Sequence, residues 1–588
     1  MCEVTKNNFK QKLPEIKRSL EKAKFISIDL EFSALQPVEH QAPRLFDDNK
    51  ERYAKLRLNL LNVIPVQVGI TAFHFDNKTN DYFGEVFTFW VAPACFGDTD
   101  KAFYFQASTL SFLTMYKFDF NKFAYSGVPF LNSKDARDLR LKLKSGDLVG
   151  ENCTLRHELD EALKAHTPVI SKWYNSCKIG DFLEIPDVYN RFGPFYELLY
   201  FLHKHLRKRF KNLWTYDRNG VFCVKKVTEA DFTELEKRCS LDDAILDDLT
   251  GFKHVFDTLT ALKKPIVGHN VLQDLMIMIN NFENALPESY LQYKALAHQL
   301  FPTIFDTKTI YYELRATIPR EKLPDDTSLS ALFDYFRGGL GRHLAVDSTA
   351  IECNIDQGKF GSYHEAGWDS FCAGYIFLRM GYYNISQHYP KSKTFVFSEV
   401  VSGLAEYKNR VNVIRGAASH IKIDGEDPTS RRPPWLIVES LKNEPLDVSD
   451  LMSTLSSYGF VDIKKLSSRG DRVLVAVDNF RAAREISKTF KTNPKFQVKQ
   501  YNVLRHSPLA QAVLLSAVTI SGTFLLWLTH TMVKRFRKHG AKFIDLGFIR
   551  PQELIIDCSS PCYRNSFILK CQNNSRPGFF VRKFPIKT

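Results

Sequence analysis

The octapeptide Phe25-Ile26-Ser27-Ile28-Asp29-Leu30-Glu31-Phe32 constrains this chain more than any other stretch. It is apolar and partly β-branched, which reads as a buried strand. Side chains alternate along a strand, so Asp29 and Glu31 share one face. Two carboxylates buried together are costly without a counter-charge. A divalent cation, which takes oxygen ligands, is the simplest one. The rest of the chain can be searched for groups that converge on this pair.

Helical spacing over 15–23 leads into the strand, and apolar runs over 63–70 and 86–91 extend it into a mixed sheet. Phe118-Asp119-Phe120-Asn121-Lys122 then leads to Gly127-Val128-Pro129, which reads as a turn. Residues 144–250 change character: they are charged, helical in pattern and poor in strands. Phe195, Leu198, Leu199, Leu202, Leu206 and Phe210 repeat at helical spacing there. Lys204, Lys208 and Lys211, flanked by Arg207 and Arg209, fall on another face. Beside Trp214 and Tyr216 this stripe is either an RNA-facing surface or a solvated helix face.

From 251 the strand-and-helix pattern resumes. Pro265-Ile266-Val267-Gly268-His269-Asn270 reads as a short strand and turn, and a helix over 271–282 carries Asp274 among apolar residues. Asn270 and Asp274 fall one turn apart on one face. Phe305-Asp306-Thr307-Lys308 reads as a strand end with polar residues at its mouth. A helix running to about 382 carries Asp369, with His364 near its entry.

Residues 430–505 read β-α-β-β-α-β, an order similar to the RNA-recognition (RRM) fold. Their third strand, Arg472-Val473-Leu474-Val475-Ala476-Val477, has no aromatic residue on which bases would stack, so protein docking is at least as expected as RNA binding. Residues 507–533 then run 27 positions without Asp, Glu, Lys or Arg. As a helix this run is roughly 40 Å long, against about 30 Å of hydrocarbon, and predicts a membrane span. Lys534, Arg535, Arg537 and Lys538 follow it.

The 588 residues exceed one ordinary domain, and the formal charge of +14 favours an anionic partner, either nucleic acid or an acidic membrane. The 11 Cys show no framework spacing, which suits a reducing compartment, and Cys558, Cys562 and Cys571 are expected as free thiols rather than a zinc site. The first ten residues have no apolar core and so no signal-peptide pattern.

Asp29, Glu31, Asp274 and Asp369 together carry about −4, which two divalent ions neutralise. Such a pair clamps the attacking and leaving oxygens of a phosphodiester, and His364 is placed to take the proton of the attacking water. Hydrolysis of this kind releases nucleoside 5′-monophosphates.

In this order the motifs resemble those of the DEDDh 3′→5′ exonucleases, and within them the poly(A)-specific ribonuclease (PARN) family. The resemblance covers most of 1–505. It includes Asn8-Phe9, Asp29-Leu30-Glu31-Phe32-Ser33, Phe118–Lys122, Gly268-His269-Asn270 with Asp274, Asp306-Thr307-Lys308, and His364 with Asp369. It implies an α/β fold: an RNase H-like core in two parts (1–143 and 251–395) around a helical RNA-binding-like insertion (144–250). An RRM-like domain (396–505), a transmembrane helix (507–533) and a basic tail (534–588) complete the expected layout.

The resemblance also implies that Asp29, Glu31, Asp274 and Asp369 hold two Mg²⁺ ions, with Mn²⁺ as a substitute, and that His364 is the base. Phe32, Leu35 and Lys308 match positions that touch the substrate's 3′ end. The late span is similar to that of a family branch that trims piRNA 3′ ends on the mitochondrial outer surface. That likeness implies single-stranded piRNA precursors with a free 3′ hydroxyl, a PIWI protein and a Tudor-domain adaptor as partners, and a cytosol-facing catalytic part. The endoplasmic reticulum is the alternative membrane. A poly(A) deadenylase and an inactive membrane-tethered RNA-binding scaffold are the alternative functions.

Overall fold

The computed structural model describes residues 1–38, 41–97, 99–145, 156–186, 188, 196–218, 220–324, 326–344, 349–355, 362–389 and 395–538. Met1–Tyr501 forms one unit, and the chain from Asn502 onward a second.

The first unit is organised on an eight-stranded sheet. Its strands begin with β1 (Cys2–Val4), β2 (Phe25–Phe32), β3 (Pro65–Asp76), β4 (Asp81–Pro93) and β5 (Val128–Phe130). The insertion contributes β6 (Phe182–Ile185), β7 (Leu213–Arg218) and β8 (Val221–Lys226) to a separate sheet. Then β9 (Ile266–Gly268), β10 (Ile304–Asp306) and β11 (Ile351–Cys353) complete the first. Strands β2, β3 and β4 pair antiparallel in turn, while β9 joins β2 in parallel and β10 joins β9. This is the mixed sheet expected of an RNase H-like core.

One edge of β4 is shared in parallel by β11, β1 and β5, which pair with 82–84, 87–89 and 91–93. Residues 127–129 are therefore not a turn. Val128 and Pro129 belong to β5, where they help cover an edge whose backbone groups would otherwise lack partners. The helix expected over 15–23 also starts earlier, at Phe9.

Alternation along β2 splits the core into two layers. Ile26, Ile28 and Leu30 pack with Val66, Val68 and Ile70 of β3 and with Ile16 and Leu20 of the helix Phe9–Lys22. Phe25 lies on the other face, with Phe73 and with Phe377 of the long helix Ala366–Ser386. Asp29 and Glu31 share that second face by parity.

The pattern over 144–250 gives no strands, yet the insertion holds the antiparallel sheet β6-β8-β7 beside helices such as Arg156–Ser176 and Tyr196–Arg209. These strands are four to six residues long and mix charged with apolar positions, so no apolar run marks them. Leu198, Leu202, Leu206 and Phe210 form the core face as expected. The basic stripe is partly spent on structure. The Arg207 guanidinium stacks 3.6 Å above the Trp214 ring and bonds Thr215 and Glu236, and Trp214 is buried. Trp214 is thus not a free stacking platform.

The hairpin of β12 (Arg410–Asn412) and β13 (His420–Lys422) puts Val411, Val413, Ile421 and Ile423 into the core of the first sheet. The RRM-like part therefore starts later than 396. Its strands are β14 (Leu436–Ser440), β15 (Val461–Lys465), β16 (Arg472–Val477) and β17 (Phe496–Gln500), in the order β15-β16-β14-β17. Helices Val448–Ser456 and Phe480–Thr489 complete the expected β-α-β-β-α-β order.

Leu436, Val438, Val473 and Val475 form the core of this part. Ile437 and Ala476, on the opposite face, are also buried. On that side Asp462 accepts the Leu45 N–H. Phe46 packs edge-on against Trp435 with centroids 5.5 Å apart. The chain's own 45–46 segment thus lies where a partner of this sheet would dock.

Among its described residues the second unit holds a short helix, Val503–His506, and a long one, Pro508–Lys538, whose stretch Ala510–Lys534 is long and apolar enough to cross a membrane. Its large side chains are exposed, Leu526 at 71% and Trp527 at 60%. The hydroxyls of Thr519, Ser521, Thr523, Thr529 and Thr531 donate to carbonyls one turn back, so they need no water. Cys558, Cys562, Cys571 and the basic tail beyond 538 lie outside the described residues.

Candidate active site

The long helix reaches the strand acids because β3 makes room for it. In β3, Gln67 and Gly69 stand opposite Glu31 and Asp29. A Cβ at Gly69 would lie 1.8 Å from the Ala366 carbonyl oxygen, so only glycine lets the start of the helix rest on the sheet. Gln67 Oε1 accepts the Ala366 N–H at 2.9 Å, satisfying one of the donors left open at a helix start. Thr71 Oγ1 and Ser370 Oγ are 2.7 Å apart. These contacts fix the first turn, which carries Asp369.

His364 precedes that turn in a left-handed conformation, φ 65°. Its backbone N–H donates to Asp369 Oδ2 at 2.9 Å. The imidazole lies against Phe112 and Tyr116, with ring centroids 4.8 and 3.9 Å away. Asp274 arrives from the other edge of β2, carried by β9 and the helix Leu272–Met278. Its Oδ1 accepts the N–H of Leu30, the residue between the two strand acids, at 3.1 Å.

Glu31, His364 and Asp369 offer ligand atoms that all lie within 4.8 Å of one another. Asp29 feels the charges of Asp369, Asp274 and Glu31. Asp29 and Asp274 lie outside that ligand-distance group but close enough for their charges to act on the same carboxyls, Asp274 on both Asp29 and Glu31. Burial, followed by the neighbouring carboxylates, holds Asp29 and Glu31 well above the usual carboxylate range. Burial lifts Asp274 and Asp369 to about 7. Burial also lowers the His364 imidazole, which favours the neutral, proton-accepting form at pH 7.

Asp369 Oδ1 is buried without a hydrogen-bond partner. Buried carboxylates that repel one another and leave an oxygen without a partner fit a bound cation. Carboxylate oxygens with one imidazole suit a hard divalent ion such as Mg²⁺ or Mn²⁺.

The residues expected at the substrate's 3′ end sit on nearby elements. Phe32 ends β2 and packs partly against the core, while Leu35 follows at 47% exposure. Lys308 lies in the first turn of the helix Thr307–Leu314.

Asn270 does not share a helix face with Asp274. It occupies a left-handed turn, φ 59°, before a helix that starts at Leu272 and passes into a π-turn at Ile279–Glu283. That turn is organised by Asp306, which is fully buried and accepts the N–H groups of Asn270, Val271, Lys308 and Asn412. Asp306 stands in one of the motifs quoted above, but nothing in the sequence says that its carboxylate is consumed by backbone donors. Phe112, Tyr116 and Gly69 were also missed. They lie far along the chain from the groups they position.

The fold and the acid cluster define a class, the metal-dependent exonuclease type of RNase H-like protein. The pattern of the CAF1 family ribonucleases matches residues 4–377, and the chain belongs to that family, whose PARN-like members are 3′→5′ exoribonucleases. Among curated proteins it is similar to the pre-piRNA 3′-exonuclease trimmer of Bombyx mori, 33% identical over 542 residues that cover 90% of this chain and 99% of that one. It is similar to poly(A)-specific ribonuclease PNLDC1 of Mus musculus, 28% identical over 86% of this chain and 95% of the relative. Poly(A)-specific ribonuclease PARN of Xenopus laevis is 26% identical over 82% and 79%.

Proposed function

We propose that this exoribonuclease trims single-stranded RNA from a free 3′ hydroxyl, with piRNA precursors as its substrate, while anchored to a membrane by the helix at 510–534. The observation that carries the reading is the ligand-distance group of Glu31, His364 and Asp369, with Asp29 and Asp274 near enough to act on its charges and all four carboxyls pushed up in pKa. Asp29, Glu31, Asp274 and Asp369 would hold two Mg²⁺ or Mn²⁺ ions. When bound, such ions supply charge neutralisation and a more acidic water. His364 is the residue that would accept the proton of the attacking water, at its imidazole. Its packing against the paired rings of Phe112 and Tyr116 keeps the imidazole in place for this. Phe32 and Leu35 pack against the terminal nucleoside, and Lys308 neutralises a nearby phosphate.

The similarity to the Bombyx mori trimmer along nearly that protein's whole length supports piRNA precursors over poly(A) as substrate. The proposal extends to a PIWI protein that presents the RNA and a Tudor-domain protein as adaptor. The covered face of the RRM-like sheet also speaks against a base-stacking poly(A) platform. The mitochondrial outer membrane, with the catalytic unit facing the cytosol, is the proposed location.

The test is an assay of full-length protein with Mg²⁺ on RNA bearing a 3′ hydroxyl. Stepwise shortening to 5′-mononucleotides is expected, with a loss of at least about a thousandfold in Asp29→Ala. Wild type that leaves such RNA intact contradicts the reading. A strong preference for oligo(A) over mixed sequence favours a deadenylase instead.

A further inference from the structure

Beside the acid cluster lies a cavity of about 290 Å³. Two parts of its wall lie next in sequence to the site acids: Leu35, four residues past Glu31, and Asn270, Leu272 and Gln273, just before Asp274. Phe460 and Asp462 of the RRM-like part close the far side. The wall between them carries three arginines, Arg44, Arg52 and Arg415.

These arginines are held in an unusual way. Arg52 is only 6% exposed, and its guanidinium donates to the carbonyls of Arg44, Ile414 and Arg415. Arg432 donates to the carbonyls of Arg415 and Gly416. The buried Arg52 and the half-buried Arg432 thus grip the backbone at Arg44 and along 414–416, where the side chains of Arg44, Ile414 and Arg415 line the cavity. Arg415 itself has a left-handed backbone, φ 52°, and its guanidinium sits 3.2 Å over the Phe460 ring.

The cluster is short of negative charge. Three carboxylates act on the group of four arginines: Asp47, paired with Lys55 at 2.7 Å, Asp462, which lines the cavity and accepts the Leu45 N–H, and Asp478. Arg52 Nε and Arg432 Nη1 are buried with no hydrogen-bond partner. Like charges gathered around a hollow, with donors left over, call for an anion. The rest of the lining adds apolar surface from Leu35, Leu56 and Val413 and amide groups from Gln36, Gln273 and Asn412. That combination suits a phosphate with a base attached, and the volume suits one nucleotide.

The geometry points to this cavity as the seat of an internal nucleotide of the RNA, upstream of the one being removed, with its phosphate on Arg44, Arg52 and Arg415. The RRM-like part then serves the reaction by closing this seat rather than by stacking bases on its sheet. The inference rests on the trimming reading above, but its central test needs no catalysis.

Full-length protein in EDTA is titrated with a ten-nucleotide RNA blocked by a 3′ phosphate, across a range of salt. Removing one phosphate contact by Arg415→Gln should make the slope of log affinity against log salt shallower by about 0.7. Arg415→Lys should restore the slope. In Mg²⁺, the ratio of kcat/KM for a ten-nucleotide to a two-nucleotide substrate should fall about tenfold in Arg415→Gln, because the shorter one cannot reach the seat. Arg44→Gln should give both effects if Arg415→Gln does not fold.

An unchanged slope and an unchanged length ratio overturn the proposal. So does a result in which Arg415→Gln alters only inhibition by added 5′-AMP, which would assign the cavity to a free nucleotide. If RNA binding shows the slope change but no RNA is shortened, the seat stands and the trimming reading fails.

Discussion

At the scale of single residues, the acid cluster has a definite proton linkage. Asp274 and Asp369 titrate near 7 in the folded protein, against about 3.9 for an unfolded Asp. Between those values the folded state holds protons that the unfolded chain has released. Without a cation, their contribution to stability is therefore full below about pH 4 and lost as pH rises through 7. A bound divalent cation takes over from the protons. Saturating Mg²⁺ is therefore expected to raise Tm more at pH 8 than at pH 6, as differential scanning fluorimetry can show. An equal shift at both values would mean that the ion does not sit on these carboxylates. Asp29 and Glu31 were legible because strand alternation is local. Asp306 was not, because its role depends on four N–H groups, one of them 106 residues away.

At the scale of elements, the site depends on how closely the long helix approaches β3. Gly69→Ala would drive a methyl group into the Ala366 carbonyl. The helix start must then lift, taking Asp369 with it. The expected cost is about 1–3 kcal/mol of stability, read from a denaturant titration, with activity reduced much further. A Gly69→Ala protein with normal trimming would show that the contact is not what places Asp369. Elements with long one-sided patterns were predictable from sequence, as in β2–β4 and the RRM-like strands. Strands β6–β8 were hidden because each is short and carries charge. The strand at 128–130 was hidden because Gly127 and Pro129 look like turn residues, and only the long edge of β4 explains the pairing of Val128, Pro129 and Phe130.

At the scale of the whole molecule, the acids of the site come from three segments spread between Asp29 and Asp369, the strand Phe25–Phe32 and the helices Leu272–Met278 and Ala366–Ser386. The catalytic unit has its own cores, and the apolar helix belongs to the second unit. Deleting 507–533 is expected to move the protein from carbonate-resistant membranes to the soluble fraction while leaving RNA trimming in solution intact. A deletion protein that still sediments with membranes would refute the anchor. The central claim is that four distant carboxylates share a pair of ions. Crystals soaked in Mn²⁺ test it most directly through the anomalous difference map. The account predicts two peaks about 4 Å apart, bonded to Asp29, Glu31, Asp274 and Asp369. A map with no peak among those side chains, at Mn²⁺ concentrations that support trimming, would contradict it.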